Sequence, residues 1–350
     1  MNTVRVNATR KYSVLIGENL LTQAGSLIRQ VKPPCKAVIV SDTNVQPIYG
    51  KIVENSLRDQ GFDTFGVVIL AGEESKNGQN YLSILELLAE HELTRSDLLI
   101  ALGGGVVGDL TGFVAATYLR GIRYIQIPTS LLAMVDSSVG GKTAIDLQAG
   151  KNLVGCFYQP DLVICDVKAL DTLPKEVFQD GCAEVIKYGV LYDAQLFDHL
   201  QQYGLSFDRI KVITRCVELK RDVVAEDEFD TGARQKLNLG HTIGHSIESI
   251  SNYKIPHGQA VAMGMAIVSK AGAKDGLCED AVAAQIREIL LQFGLPAETQ
   301  YTPEDLFKHA LSDKKRSAGT VNLIVPTAIG NCIILPTDIT KLQSFIEAGL

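Results

Sequence analysis

Short Val- and Ile-rich runs, four of five closed by an acid, a glycine or a proline, recur through the first 170 residues. They are "KAVIVSD" (36–42), "FGVVIL" (65–70), "DLLIALGGG" (97–105), "YIQIP" (124–128) and "DLVICD" (161–166). Between them lie amphipathic stretches such as "YLSILELLAEHEL" (81–93), with apolar residues at helical spacing. A strand buried on both faces reads as a nearly unbroken apolar run, and helices between such strands cover the sheet. This rhythm predicts a parallel sheet with helices on both faces, which takes ligands at the carboxyl ends of its strands. After "TLPKEVF" (172–178) the pattern changes. Segments 176–203, 207–226, 239–251, 257–275, 279–293 and 303–311 suit helices, and "TVNLIVPTAIGNCIIL" (320–335) reads as a hairpin. The expected class is α/β plus α: an α/β domain over 1–170 and a mainly α-helical domain over 171–350. The active site is expected in the cleft between them.

Composition narrows the partners. With 33 Lys and Arg against 40 Asp and Glu, the net charge is −7. The basic residues are scattered, there is no Trp, and aromatic residues make up 6%. That is a poor surface for nucleic acid, which is held by concentrated positive charge and stacking. An anionic ligand therefore calls for a local basic pocket. No run reaches the roughly 18 to 20 apolar residues of a membrane span. The opening Met-Asn-Thr-Val-Arg-Val lacks a signal peptide's apolar core, so a soluble cytoplasmic protein is expected. Seven widely spaced cysteines with no C-x-x-C pair read as reduced, mostly buried thiols.

Three groups of residues carry chemistry. In "LLIALGGGVVGD" (98–109) a buried strand runs into Gly103-Gly104-Gly105-Val106-Val107-Gly108, which has G-x-G-x-x-G spacing and opens an apolar helix. Glycines there let a pyrophosphate approach the free N–H groups of a helix N-terminus. A plain strand-to-helix turn uses the same residues, and "YIQIP" has no terminal acid for a ribose; Asp42 is a substitute. The second group is histidines: three of six fall between His241 and His257. His241 and His245 are four apart, on one helical face. Glu184 lies one turn from Lys187. A carboxylate with two or three imidazoles is a catalytic zinc shell, and spacing alone makes both His241 and His245 ligands. Helix-surface histidines with no metal are the alternative. Third, Asp136 and Lys142 in "PTSLLAMVDSSVGGKTAID" and Lys151 and Asn152 in "GKNLVG" sit among glycines and small residues. With Lys220, Arg234, Asn238, Lys314 and Lys315 they suggest an anionic substrate bearing phosphate or carboxylate.

The sequence resembles the 3-dehydroquinate synthases over nearly its whole length. The likeness rests on "GGGVVGDLTGFVAATYLRGI", "IPTSLLAMVDSSVGGKTAID", "GKNLVGCFYQP", "AEVIKYG", "LNLGHTIGH", "HGQAVAMGM" and "DKK", in that order. It implies a Rossmann-like NAD-binding domain, an α-helical metal- and substrate-binding domain, and a homodimer. It implies zinc or cobalt on Glu184, His241 and His257. His245 then becomes a group that contacts substrate and relays protons, which replaces the assignment from spacing. NAD would meet Asp42, Glu73 and Lys76, then the turn of Gly104, Gly105, Val106, Val107, Gly108 and Asp109. Thr129, Ser130, Lys142, Lys151 and Thr172 would complete that site.

The substrate would meet Asp136, Lys142, Asn152, Lys187 and His245, the first two and Lys187 sharing the catalytic work. Lys220 and Arg234 match a carboxylate clamp; Lys142, Asn152, Asn238 and Lys314 match the phosphate side. Arg120 matches a residue that reaches into the site of the second copy. The implied reaction turns 3-deoxy-D-arabino-heptulosonate 7-phosphate into 3-dehydroquinate and phosphate, in the shikimate route to chorismate and the aromatic amino acids. Other sugar-phosphate cyclases and the metal-dependent alcohol and glycerol dehydrogenases are the competing classes. The chain departs from the family at Gln259 (commonly Glu), Ser130 (often Thr) and Leu239 (often Phe). Gln259 is the departure expected to touch the surroundings of His257.

Overall fold

The Val- and Ile-rich runs become strands of one seven-stranded sheet in the computed structural model, which describes residues 1–314 and 319–350, and side chains of 1–311 and 319–350. The chain opens with a hairpin, β1 (Asn2–Val6) and β2 (Tyr12–Gly17), followed by α1 (Ala24–Arg29), β3 (Lys36–Asp42), α2 (Lys51–Arg58) and β4 (Asp63–Ile69). Next come α3 (Gly78–Glu90), β5 (Leu98–Gly103), α4 (Gly105–Thr117) and β6 (Arg123–Pro128). A separate antiparallel pair, β7 (Lys142–Leu147) and β8 (Gly150–Phe157), precedes β9 (Leu162–Asp166). The sheet order is β1-β2-β9-β6-β5-β3-β4, with β1 antiparallel to β2 and the other pairs parallel.

Strand β5 is buried throughout, as its unbroken apolar sequence requires. Val38, Val40, Leu99, Ala101, Leu110 and Val114 pack into one core beneath α4. Each of the Val and Leu side chains contributes about 1.5–3 kcal/mol of hydrophobic stabilisation against full exposure. The opening hairpin lies outside the runs named above. Its alternation carries a strand's period all the same: Val4 and Val6 are buried, Thr3 and Arg5 exposed.

The remaining elements are α5 (Lys175–Tyr192), α6 (Ala194–Tyr203), α7 (Arg209–Glu226), α8 (His241–Ile250), α9 (His257–Lys274), α10 (Asp280–Gln292), α11 (Pro303–Lys314), the hairpin β10 (Thr320–Ala328) and β11 (Asn331–Asp338), and α12 (Ile339–Gly349). Segment 176–203 is not one helix. Asp193 is extended (φ −148°, ψ 94°) and its carboxylate accepts the Leu196 N–H, which ends α5 and caps α6. The C-terminal α12 begins in the same way, with the Asp338 carboxylate accepting the Thr340 N–H.

Two compact units result: Met1–Pro174 with Arg209–Phe229, and Lys175–Asp208 with Asp230–Leu350. A single boundary near 170 therefore does not describe the chain. Helix α7, assigned above to the helical half, packs against β1 and β2 of the first unit. Asn2 donates to Thr214 at 3.1 Å, and Glu228 just beyond the helix accepts from Thr9 and Gln159. An amphipathic pattern shows that a helix has a buried face but not what covers it. Among the described residues no helix is long and apolar enough to cross a membrane, and no disulfide joins any of the seven cysteines.

Candidate active site

In the first unit β5 turns into α4 at Gly104, and no side chain caps that helix. Its first-turn N–H groups, from Gly105, Val106 and Val107, are thus available to an anion, with the helix dipole behind them. One turn further in, Asp109 Oδ2 accepts from the buried Lys76 ammonium at 2.6 Å. The same ammonium donates to Asn152 Oδ1 at 2.5 Å and lies 3.8 Å from Glu73. A lysine has only donors, so this contact fixes the Asn152 amide with its NH₂ directed elsewhere. Burial works against charge on Lys76, but Asp109 and Glu73 more than offset it and raise the ammonium above its ordinary pKa. Lys151 completes the group at 3.9 Å from Glu73.

Other first-unit candidates are tied into the backbone. Asp42 Oδ1, ending β3, accepts the N–H groups of Asn44 and Val45. The Thr129 N–H donates to Gly103, and Ser130 Oγ accepts from Ala133, a bond a threonine would make equally well. Thr172 shares a 2.6 Å hydrogen bond with Tyr49. The Lys220 ammonium on α7 contacts the Asp136 carboxylate and donates to the Asp136 carbonyl at 2.7 Å. Lys142 is exposed on β7. Arg120 is exposed in a turn where Leu119, Arg120 and Gly121 all have positive φ (51°, 65° and 122°).

In the second unit three elements converge. Helix α5 presents Glu184, 1% exposed, with the Lys187 ammonium one turn on in contact with it. Helices α8 and α9 bring the imidazoles. They cross closely because Gly240 starts α8 at φ 77° and Gly264 lies under it; a Cβ on Gly264 would come within 2.0 Å of the Gly240 carbonyl. His241 Nε2 and His257 Nε2 each lie 3.4 Å from Glu184 Oε1. His241 Nδ1 is 3.0 Å from the Leu239 carbonyl, which only accepts, so Nδ1 carries the proton and Nε2 faces Glu184 with its lone pair. That bond uses the Leu239 backbone, so the exchange of Phe for Leu leaves it intact. His245 is exposed and stands apart from Glu184, its ring 5.5 Å from that of His241 and 6.2 Å from that of His257.

The electrostatics suit a cation. Burial opposes charge on Glu184, yet Lys187 and His241 hold it well below the usual carboxylate range. Burial and Lys187 push His241 down to about 4 against the pull of Glu184. His257 is raised to about 10, burial being outweighed by the neighbouring carboxylates of Glu184 and Glu248. Neither Glu184 oxygen accepts a hydrogen bond of ordinary geometry. A buried carboxylate facing an imidazole lone pair is repulsive by itself and favourable around a divalent ion, so these residues fit zinc or cobalt.

Arg234 is buried at 2% exposure in a short turn over Ala233–Asn238, with Asn238 exposed at its end. The side chain of Lys314 and all of Lys315 lie outside the described residues. Two acids that sequence reasoning passed over hold the start of α9, one at the His257 ring and one at the backbone beside it. Glu248 Oε2 is 3.3 Å from His257 Nδ1, and Asp180 Oδ1 accepts the Gln259 N–H at 2.9 Å. Helical spacing carried a signal for both: Glu248 follows His241 by seven residues, and Asp180 precedes Glu184 by four. Gln259 thus enters through its backbone N–H, and the carboxylate beside His257 is Glu248.

Similar folds are known with ligands. The structure aligns with 2-deoxy-scyllo-inosose synthase complexed with carbaglucose-6-phosphate, NAD+ and Co2+ (TM-score 0.89, 25% identity, all of both chains). It also aligns with 2-epi-5-epi-valiolone synthase from Streptomyces hygroscopicus subsp. jinggangensis 5008 with NAD+ and Zn2+ bound (TM-score 0.88, 27% identity, 97% of this chain and 95% of that one). Both neighbours are sugar-phosphate cyclases, and the parallel-sheet unit and the helical unit of this chain fit that class. Within that class, residues 66–180 match the family described as 3-dehydroquinate synthase N-terminal, and 181–316 its C-terminal counterpart. The 3-dehydroquinate synthase of Clostridium acetobutylicum is 44% identical over 342 residues, 96% of each chain. The chain belongs to the 3-dehydroquinate synthase family.

Proposed function

We propose that this chain converts 3-deoxy-D-arabino-heptulosonate 7-phosphate into 3-dehydroquinate and phosphate, a lyase reaction on the way to chorismate. The observation that carries the reading is the convergence of Glu184, His241 and His257, in a chain of this family, on a point where a buried carboxylate faces an imidazole lone pair, an arrangement that a divalent ion makes favourable. When bound, NAD would supply reversible hydride-transfer chemistry at the substrate's carbon 5, and the metal ion would supply Lewis acidity at the hydroxyl there.

The chain's own groups have separable tasks. Glu184, His241 and His257 hold the ion. Asp42, Glu73, Lys76, the Gly104–Asp109 turn, Thr129, Ser130, Lys142, Lys151 and Thr172 would hold the dinucleotide, the uncapped N-terminus of α4 offering its N–H groups to an anion. Asn152, pinned through its oxygen by Lys76, offers its NH₂ to the phosphate, with Lys142, Asn238 and Lys314. Lys220 and Arg234 take the carboxylate, Asp136 fixing where the Lys220 ammonium lies. His245, exposed beside the two metal-site imidazoles, moves protons to and from substrate near neutral pH. Lys187 holds positive charge against Glu184. The working form is a cytoplasmic homodimer in which Arg120 reaches the second copy. Its exposure in a strained turn supports that role, and seven cysteines without a disulfide suit a reducing compartment.

The test is phosphate release by zinc- and NAD-supplemented protein given the heptulosonate phosphate or sedoheptulose 7-phosphate, with NADH absorbance followed. Release from the first without lasting NADH is expected. Release only from the second would move the chain to another cyclase activity and remove the carboxylate role of Lys220 and Arg234. Net NADH from a simple alcohol would make it a dehydrogenase.

A further inference from the structure

We infer that Glu248 is the positioning residue that presets His257 for the metal, an inference that rests on the metal reading above. His257 is the first residue of α9, directly after Pro256. An imidazole at a helix end can turn either nitrogen inward, and two contacts decide between them here. Glu248, 3% exposed, places Oε2 at 3.3 Å from Nδ1. A buried carboxylate is an acceptor, so Nδ1 donates and Nε2 is the atom 3.4 Å from Glu184. The helix start is fixed independently by Asp180, which accepts the Gln259 N–H. A Cβ on the intervening Gly258 would fall 1.9 Å from the Asp180 carbonyl. Helix α8 therefore supplies one ligand, His241, and two turns later the group that orients another.

Donor atoms of His245, Glu248 and His257 also lie within 4.8 Å of one another, so Glu248 is open to a rival role as a ligand for a second ion. Its hydrogen-bond distance to Nδ1 and its burial, beside an exposed His245, favour the orienting role. Carboxylates that orient metal-binding histidines in this way are worth about 10–100-fold in metal affinity.

The experiment measures zinc stoichiometry and affinity by chelator competition, with the visible spectrum of the cobalt form and a thermal melt. It uses the full chain and its E248A, E248D and E248Q variants. One zinc per chain is expected. E248A binds zinc about 10–100-fold more weakly with a shifted cobalt spectrum. E248Q, whose amide oxygen still accepts from Nδ1, recovers much of that loss. E248D keeps the charge but is one methylene short, so it falls near E248A and serves in its place if E248A does not fold. Unaltered affinity and cobalt spectrum in folded E248A or E248D overturn the inference. So does a second zinc per chain that disappears with Glu248. Failure of the metal reading looks different: zinc binding that is absent from the unaltered chain, or unchanged in His257→Ala.

Discussion

In the first unit each buried lysine of the candidate site has an acid of its own, Lys76 against Asp109 and Lys220 against Asp136. In the second unit an ammonium and two imidazoles converge on one acid, Glu184, and His257 has a second acid, Glu248. Self-paired charges are neutral before any ligand arrives, and an anion must compete with the resident carboxylate for each lysine. An acid faced by two imidazoles from other helices gathers three donor atoms for a cation, which shares Glu184 with the Lys187 ammonium. Changes in the first unit should therefore register in stability and ligand affinity, and changes in the second in metal content and turnover.

The sharpest break of that contrast is Glu184→Ala, which should lose bound zinc and turnover together, both read on one sample by metal analysis and phosphate release. Full activity in a zinc-free variant would dissolve the comparison. Next is His245→Ala, expected to keep zinc and lose about 10²–10⁴ in turnover, as befits a proton-transfer group. Retained zinc with near-normal turnover would remove His245 from the chemistry. In the first unit, Asp109→Asn leaves Lys76 buried without its main acid and should destabilise by about 3–5 kcal/mol in denaturant melts, with zinc content unchanged.

The same pair has a pH signature. Because the folded Lys76 pKa is raised above its ordinary 10.5, its contribution to stability is complete below that value and lost as pH rises through the folded pKa. The parent's melts should show an extra alkaline loss above about 10.5 that Asp109→Asn lacks. The smallest expected effect is Gly258→Ala. Pressing a methyl on the Asp180 carbonyl should cost about 1–3 kcal/mol and weaken zinc binding, while dinucleotide affinity stays put.

How much of this was readable in the residues differs by kind of contact. The strand into Gly104 and α4 was legible because a buried run, a glycine turn and an apolar helix are all local. The histidine set was legible as a set. Spacing nonetheless paired His241 with His245, whereas the structure pairs His241 with His257 around Glu184, because the deciding neighbour lies on α5. Glu248 and Asp180 looked like ordinary helix acids, since nothing local says that an imidazole will arrive from α9. Lys76 on Asn152 spans 76 residues and leaves no periodic trace. The break at Asp193 was missed for a different reason. One capping aspartate is a weak signal inside a long helical pattern.

The return of Arg209–Phe229 to the first unit bears on how the protein is made. A ribosome that has released Pro174 has not yet supplied the helix that covers β1 and β2, or the lysine that meets Asp136. Residues 175–208, part of the other unit, emerge in between. At about 5–20 residues per second, several seconds pass in which the sheet's first hairpin waits uncovered. A chain stalled or cleaved in that interval would expose apolar strand surface, and a chaperone that binds such surface would find its client there.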